Sequence, residues 1–304
     1  MTTQFILVNH RATNMTKWKK IIVGANNLLY EYLAEKNSTF LSYGGGVQTF
    51  AILILIEKGK VRADEVIFAD TGAEHSETYE HIENVVKPIC ERIGVDFTVV
   101  RMAKQVKDRI TKEMKVAHSL TETIEIRGRI PSLRNRWCTE YSKIVPIKHY
   151  IREKQAKRAY VKPATALIGI SLDEWQRMHK PHLSEYVTSY PLIEMRMTRQ
   201  DCIELIRKSG YPLPPKSGCY FCPFQGPQQW RKLYETERDK FNYAMQLEER
   251  DPKFPTYTLA RDKKGPLPLR KMSVRFGEGS KDLTEFDIEL NEEMSCEQGG
   301  YCHI

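Results

Sequence analysis

No apolar run in this chain approaches the length that spans a bilayer, which excludes a transmembrane helix. The segment Met1–Asn9 lacks both the basic stretch and the long apolar core of a secretory signal. Together these absences point to a cytoplasmic protein with no membrane partner. No internal repeat is visible. Cysteine is scarce and odd in number, at seven residues, with two close pairs toward the carboxyl end. In a cytosolic chain that pattern argues against a disulfide framework and for metal binding or catalysis.

What is present is ordinary in bulk. The 304 residues suffice for one large or two modest domains, and 41% hydrophobic with 28% charged residues is the balance of a globular protein. The net charge of +8 favours an anionic partner, either a polyanion or a nucleotide-sized substrate.

The most informative stretch is Leu41-Ser42-Tyr43-Gly44-Gly45-Gly46-Val47-Gln48-Thr49, followed by an apolar run from Phe50 to Ile56. Consecutive glycines are unfavourable inside a helix or strand, because each loses much backbone freedom. They suit a turn where backbone approaches a ligand. A strand, a glycine turn and a helix start together offer unpaired N–H groups and a positive dipole end to an anion. The two readings are a phosphate-binding loop and an ordinary strand-to-helix turn.

From residue 39 to about 180 the pattern suggests βαβ units. The expected elements are strands at Thr39–Tyr43, Glu65–Ala69, Phe97–Arg101 and Ala164–Ile170. Helices are expected at Gln48–Lys58, from a Ser76 cap to about Arg92, and from Ser171 onward. A capped helix is expected over 196–210, with Thr198 as cap, and one polar helix over 226–250. The first 38 residues carry Trp18, Ile21, Ile22, Ala25, Leu28, Leu29, Tyr32 and Leu33 at helical spacing, which predicts an amphipathic packing helix. The domain organisation expected is 1–38 as an extension, 39–195 as a nucleotide-binding domain and 196–304 as a helical, cysteine-bearing region. The stretch Arg127–Trp137 holds Arg127, Arg129, Arg134 and Arg136 in a loop that is either a phosphate-reading surface or a solvated face.

Two further stretches bear chemistry. Asp70-Thr71-Gly72 follows a strand directly, so Asp70 can face the same crevice as the glycine loop and hold Mg²⁺ or a nucleotide; it can equally form a turn and helix entry. Cys219-Tyr220-Phe221-Cys222-Pro223 can present two thiolates to one metal centre. Two cysteines do not complete a tetrahedral site, and Cys138, Cys296 and Cys302 are the candidates for the rest. Cys90 and Cys202 sit among apolar helical neighbours and are expected in the core.

These pieces occur in a fixed order. After the glycine loop come Phe-Ala-Asp-Thr-Gly-x-Glu-His (68–75) and Arg-Trp-Cys-Thr-x-x-x-Lys-x-x-Pro (136–146). Gly-Ile-Ser-x-Asp-Glu (169–174), Tyr-Pro-Leu (190–192), Thr-Arg-Gln-Asp (198–201) and Gly-Cys-x-x-Cys-Pro-Phe (218–224) follow. The set resembles the phosphoadenosine phosphosulfate reductase-like branch of the PP-loop ATP pyrophosphatases, over residues 39–250. The resemblance implies an α/β fold of the adenine nucleotide alpha hydrolase-like kind. That fold is a five-stranded, mostly parallel sheet flanked by helices, with an adenine nucleotide over the strand ends.

On that resemblance, Ser42, Gly44, Gly45, Gly46, Gln48 and Thr49 correspond to the PP-loop, with Gln48 and Thr49 where many relatives carry aspartate and serine. Asp70 and Thr71 match the second nucleotide motif. Cys138, Cys219 and Cys222 match positions that bind an iron–sulfur cluster in cluster-containing relatives. Trp137 stands where adenylyl sulfate reductases have another cysteine, so Cys296 or Cys302 is the candidate fourth ligand. Cys302, beside His303, is equally a candidate nucleophile. Lys143 and Arg136 would offset negative charge. The implied activity is an ATP-dependent sulfurtransferase that uses ATP, Mg²⁺ and a [4Fe-4S] cluster to insert sulfur into nucleic acid, either DNA backbone or tRNA. A cysteine desulfurase is the implied sulfur donor, and the chain is expected as a homodimer. One rival is a phosphoadenylyl or adenylyl sulfate reductase that makes sulfite. Another is a non-catalytic nucleotide-binding subunit with a zinc knuckle.

Overall fold

Short runs rich in β-branched and aromatic residues form strands here, and the longer apolar segments between them form helices. The computed structural model describes residues 38–132, 136–178, 184–262 and 265–277. Its strands begin with β1 (Thr39–Tyr43), β2 (Glu65–Asp70) and β3 (Asp96–Arg101). A hairpin, β4 (Lys104–Lys107) and β5 (Met114–Ala117), precedes β6 (Ala164–Leu167) and β7 (Tyr186–Ser189). Five of them form one sheet in the order β3-β2-β1-β6-β7, and all of its pairings are parallel. The chain therefore steps outward from β1 through β2 to β3, then re-enters on the other side of β1 at β6. Connections diverge at the carboxyl ends of β1 and β6, which is where an open parallel sheet has its ligand crevice.

Helices cover the sheet. Helix α1 (Val47–Glu57) is buried at every position from Val47 to Ile56. An apolar helix of this kind needs cover on all sides. The sheet lies on one side. Cys202 and Ile206 of a later helix, Arg199–Lys208, join the same core. Helix α2 runs over 76–93 and α4 over 137–156, with α3 (Leu120–Arg127) between them. Both long helices widen into a π turn, at Ile82–Val86 and Glu140–Ile144, and both π turns precede a proline, Pro88 and Pro146. Proline lacks the N–H that would close an ordinary turn, and its ring crowds the carbonyl four residues back. The remaining helices are α5 (Pro191–Glu194), α6 (Arg199–Lys208), α7 (Pro227–Thr236), α8 (Arg238–Arg250) and α9 (Leu269–Gly277). A second hairpin, β8 (Ala260–Asp262) and β9 (Gly265–Leu267), precedes α9. Among the described residues no helix is long and apolar enough to cross a membrane.

Several sequence-based bounds shift for physical reasons. The strand expected to reach Ile170 ends at Leu167, because Gly169 must pass under α1. Ser76 is the first residue of α2 rather than its cap; its hydroxyl bonds Glu237 instead. Ser171 is the N-cap, without a side-chain capping bond, of a 3-10 turn, Leu172–Arg177, that replaces the expected helix. The single helix expected over 226–250 is broken at Glu237 (φ −134°, ψ 56°). Thr198 does cap α6, in a reciprocal box with Asp201. The amphipathic helix expected within residues 1–38 lies outside the described residues.

A second core gathers Trp230, Leu233, Phe241 and Leu247 with Tyr220, Phe221 and Trp137, so α7 to α9 pack beneath the cysteine loop. Glu248 sits fully buried in this region and accepts from the N–H groups of Leu259 (2.7 Å) and Leu269 (2.8 Å). Burial pushes its carboxyl up from 4.5 to about 7, against the pull of those two N–H groups. The native state thus holds a proton that the unfolded chain releases, and stability is expected to fall as pH rises from about 4.5 to about 7. Glu248→Gln should remove that slope. The two N–H groups bond different oxygens, one of which becomes a donating NH2 in the amide, so the variant should melt lower at about pH 5 and converge with the wild type by about pH 8. Thermal melts across that range check this.

Candidate active site

The glycine loop lies at the carboxyl end of β1, in the crevice. Gly45 has φ +80°, and a Cβ there would stand 3.0 Å from Thr78 Cγ2 and 3.2 Å from Ser217 Cβ. Both the left-handed backbone and the close neighbours require glycine. Gly46 is the N-cap of α1, with no side-chain cap. The first-turn N–H groups and the helix dipole therefore face the loop. Ser42 is buried on β1.

The side chains of the expected loop residues point elsewhere. Thr49 Oγ1 donates to the Gly46 carbonyl (3.1 Å). Gln48 is buried, donates to Glu174 Oε2 (3.2 Å) and accepts from Arg199 (2.9 Å). The amide thus bridges an acid and a base, which an aspartate could not do without facing Glu174. Backbone is what the loop itself offers to a ligand. Gly169 holds β6 against this helix start: a Cβ there would meet Thr49 Cγ2 at 2.6 Å and Thr49 N at 2.9 Å.

One strand over, Asp70 ends β2 and is nearly fully buried. Its Oδ1 accepts from Gly72 N–H (2.8 Å) and Tyr79 O–H (2.7 Å), and its Oδ2 accepts from Arg101 Nε (2.9 Å). Asp70 and Arg101 are register partners in adjacent parallel strands. In this conformation Asp70 organises the turn, with both of its oxygens engaged. Thr71 turns toward the cysteines: its hydroxyl donates to Glu74 Oε1 (3.1 Å) and accepts from Cys219 Sγ (3.5 Å).

The cysteine loop docks onto that turn. Glu74 and Cys219 form an antiparallel bridge, and Tyr220 N–H donates to the Ala73 carbonyl (2.9 Å). Cys222 N–H closes back on the Cys219 carbonyl (2.9 Å). Cys138, at the start of α4, packs in the same core. Burial is the largest influence on all three thiols and raises each, Cys222 to about 12. Cys222 is raised further by the charge of Cys138, and Cys219 by those of Glu74 and Cys222, while Lys143 opposes the rise at all three. Lys143 Nζ stands 4.0 Å from Glu74 Oε1, and Glu74 Oε2 is buried with no hydrogen-bond partner among the described residues. Arg136 stacks over Phe224, 4.2 Å from the ring centroid.

Three neutral, partly buried thiols from two distant segments therefore lie near one another with a cation beside them. Metal binding would displace their protons and relieve the strain of burial. Among the described residues no group of three or more His, Cys, Asp or Glu side chains is placed to hold a single metal ion. Cys296 and Cys302 lie outside the described residues. Cys90 and Cys202 are in the main core, as expected, with thiols pushed up to about 12 by burial.

Sequence reasoning gave no site role to Arg101 or Glu237, and carried Glu74, Glu174 and Arg199 only as motif members without a role. Arg101 was findable: it ends β3 as Asp70 ends β2. Glu237 was not, since its role is to reach back to Ser76 and His75. There Lys240 and Ser76 hold its carboxyl down to about 2, although burial, the largest influence, works to raise it.

A domain model described as phosphoadenosine phosphosulfate reductase domain matches residues 38–214. Uncharacterized protein MJ0066 of Methanocaldococcus jannaschii is 24% identical over 214 residues, 66% of this chain. The chain spans only 39% of that relative's length. The crystal structure of phosphoadenylyl-sulfate reductase from Candida auris, in a phosphate complex, aligns with a TM-score of 0.40 at 16% identity, covering 61% of this chain and 79% of that one.

Proposed function

Because the chain belongs to the phosphoadenosine phosphosulfate reductase domain family, whose model matches residues 38–214, we propose that it is an ATP-dependent sulfurtransferase acting on nucleic acid. The observation that carries the reading is the contact between the two halves of the site. Thr71, on the turn that ends β2, accepts from Cys219, and Lys143 neighbours both Glu74 and the cysteines.

In this proposal an acceptor oxygen attacks the α-phosphorus of ATP, pyrophosphate leaves, and a sulfur nucleophile then displaces AMP. AMP is a far better leaving group than the oxygen it activates. The N–H groups of Gly45, Gly46 and the first turn of α1 bind the departing phosphates, aided by the helix dipole. Gly169 keeps that helix start in place. Asp70 orients Arg101 and Tyr79 at the crevice edge; the Mg²⁺ that accompanies ATP is left to other ligands. Lys143 balances the charge of Glu74 and of ionised cysteine. Cys138, Cys219 and Cys222 would hold an iron–sulfur cluster, with Cys296 or Cys302 as fourth ligand. When bound, the cluster supplies a thiophilic site for incoming sulfur. The apolar groups packed around the partly buried cysteines limit the access of water to that sulfur.

The family match keeps a second reading open, reduction of a sulfonucleotide to sulfite. Pyrophosphate assays separate them. The sulfurtransferase should release pyrophosphate from ATP when nucleic acid and sulfide are supplied, and digests of that nucleic acid should contain sulfur by mass spectrometry. Sulfite made from adenylyl sulfate or its 3′-phosphate, with ATP untouched, would establish the reductase instead.

A further inference from the structure

We propose that a basic trough beside the cysteine cluster binds the phosphodiester backbone of a nucleic acid. The first part is a cavity of about 500 Å³ lined by Lys107, Arg109 and Lys112 of the β4–β5 hairpin region, by Arg127 at the end of α3 and by Arg129 beyond it. Its one lining carboxylate, Asp108, is already taken: Lys115 bonds it at 2.6 Å, and the N–H groups of Ile110 and Thr111 bond it too. Arg127 and Arg129 also line a cavity of about 140 Å³ that includes Trp137, Lys253 and Tyr257. Tyr257 in turn opens onto a third, of about 510 Å³, lined by Pro223 and Arg261.

Two observations make this a site and not a scatter of surface charge. Lys107, Arg109, Arg129, Lys253 and Arg261 are exposed and have no ion pair among the described residues. Other basic stretches are spent internally: Arg152 pairs with Glu185 and Lys154 with Glu65. The trough also passes Trp137 and Pro223, the immediate neighbours of Cys138 and Cys222. A chain of phosphates lying in it would run past the cysteines. Guanidinium groups match phosphate oxygens in pairs. An elongated concavity suits a polymer better than a single small anion, and a flat bilayer could not enter it.

This inference rests on the sulfurtransferase reading for its purpose, though its test does not depend on turnover. Anisotropy of labelled duplex DNA and of single-stranded RNA of equal length, without ATP, measures binding by the full chain. Combined Lys107→Glu and Arg129→Glu should weaken binding about tenfold and flatten the salt dependence by about two counterions. Lys58→Glu with Lys60→Glu, on exposed residues after α1, should change neither. Melting temperatures that match the wild type show that the variants fold. Tighter binding to one polymer names the source. Equal affinity in the trough variant, an equal loss in the control, or binding to polyglutamate as tight as to nucleic acid would overturn the inference. Wild-type protein that binds through the trough yet never releases pyrophosphate keeps this inference and sinks the sulfurtransferase reading. Pyrophosphate release that ignores the charge reversal does the opposite.

Discussion

Gly169→Ala should destabilise the protein by roughly 1–3 kcal/mol and weaken ATP binding by about tenfold or more. The added methyl group has nowhere to go. It would meet Thr49 Cγ2 at 2.6 Å and the Thr49 backbone nitrogen at 2.9 Å. The side chain cannot swing aside cheaply, because its hydroxyl is bonded to the Gly46 carbonyl. The backbone nitrogen belongs to the first turn of α1, so relief requires the helix start to move off β6. That movement breaks the bonds from Gln48 to Glu174 and Arg199, and it displaces the N–H groups that face the loop. Gly59→Ala is the matched control. Gly59 also has a left-handed backbone, φ +65°, but nothing lies within 4 Å of its added Cβ. It should lose roughly 1 kcal/mol from strain and bind ATP normally. Equal ATP affinity in the two variants would contradict the role given to Gly169.

Cys219→Ser should abolish metal binding and reduce sulfur transfer at least about a hundredfold, while ATP affinity stays within about twofold. A serine hydroxyl can keep the contact with Thr71 and leave the bridge to Glu74 intact, so the turn that ends β2 should survive. It does not ionise to serve as a metal ligand. Cys202→Ser gives the contrast. Cys202 is fully buried in the main core, where an unpaired hydroxyl costs roughly 1–3 kcal/mol, yet metal content should be unchanged. Metal analysis and calorimetric titration with ATP on both variants separate the outcomes.

The frame of the fold was legible because its signals are local. β1, β2 and β3 are short apolar runs that end in turn residues, and α1 follows a triple glycine. The order of the glycine loop, Asp70, Cys138 and the Cys219–Cys222 pair carried the family and the parallel sheet. What was missed depends on partners far along the chain. The β4–β5 hairpin exposes Met114 and Val116, so its strands have no clear apolar face to read. Glu237 breaks a continuous helical pattern because its carboxylate bonds Ser76 and accepts from Lys240. In sequence Asp70 reads as a holder of Mg²⁺ or nucleotide, or as a turn residue. Only the parallel register with β3 reveals Arg101 lying against it. Gln48 likewise has meaning only once Glu174 and Arg199 are brought to either side.

The central claim is that Cys138, Cys219 and Cys222 hold an iron–sulfur cluster beside the nucleotide loop. Iron and acid-labile sulfide measured on protein purified without oxygen test it most directly. The account predicts about four of each per chain in a brown preparation. A colourless preparation containing zinc, or no metal, would contradict it.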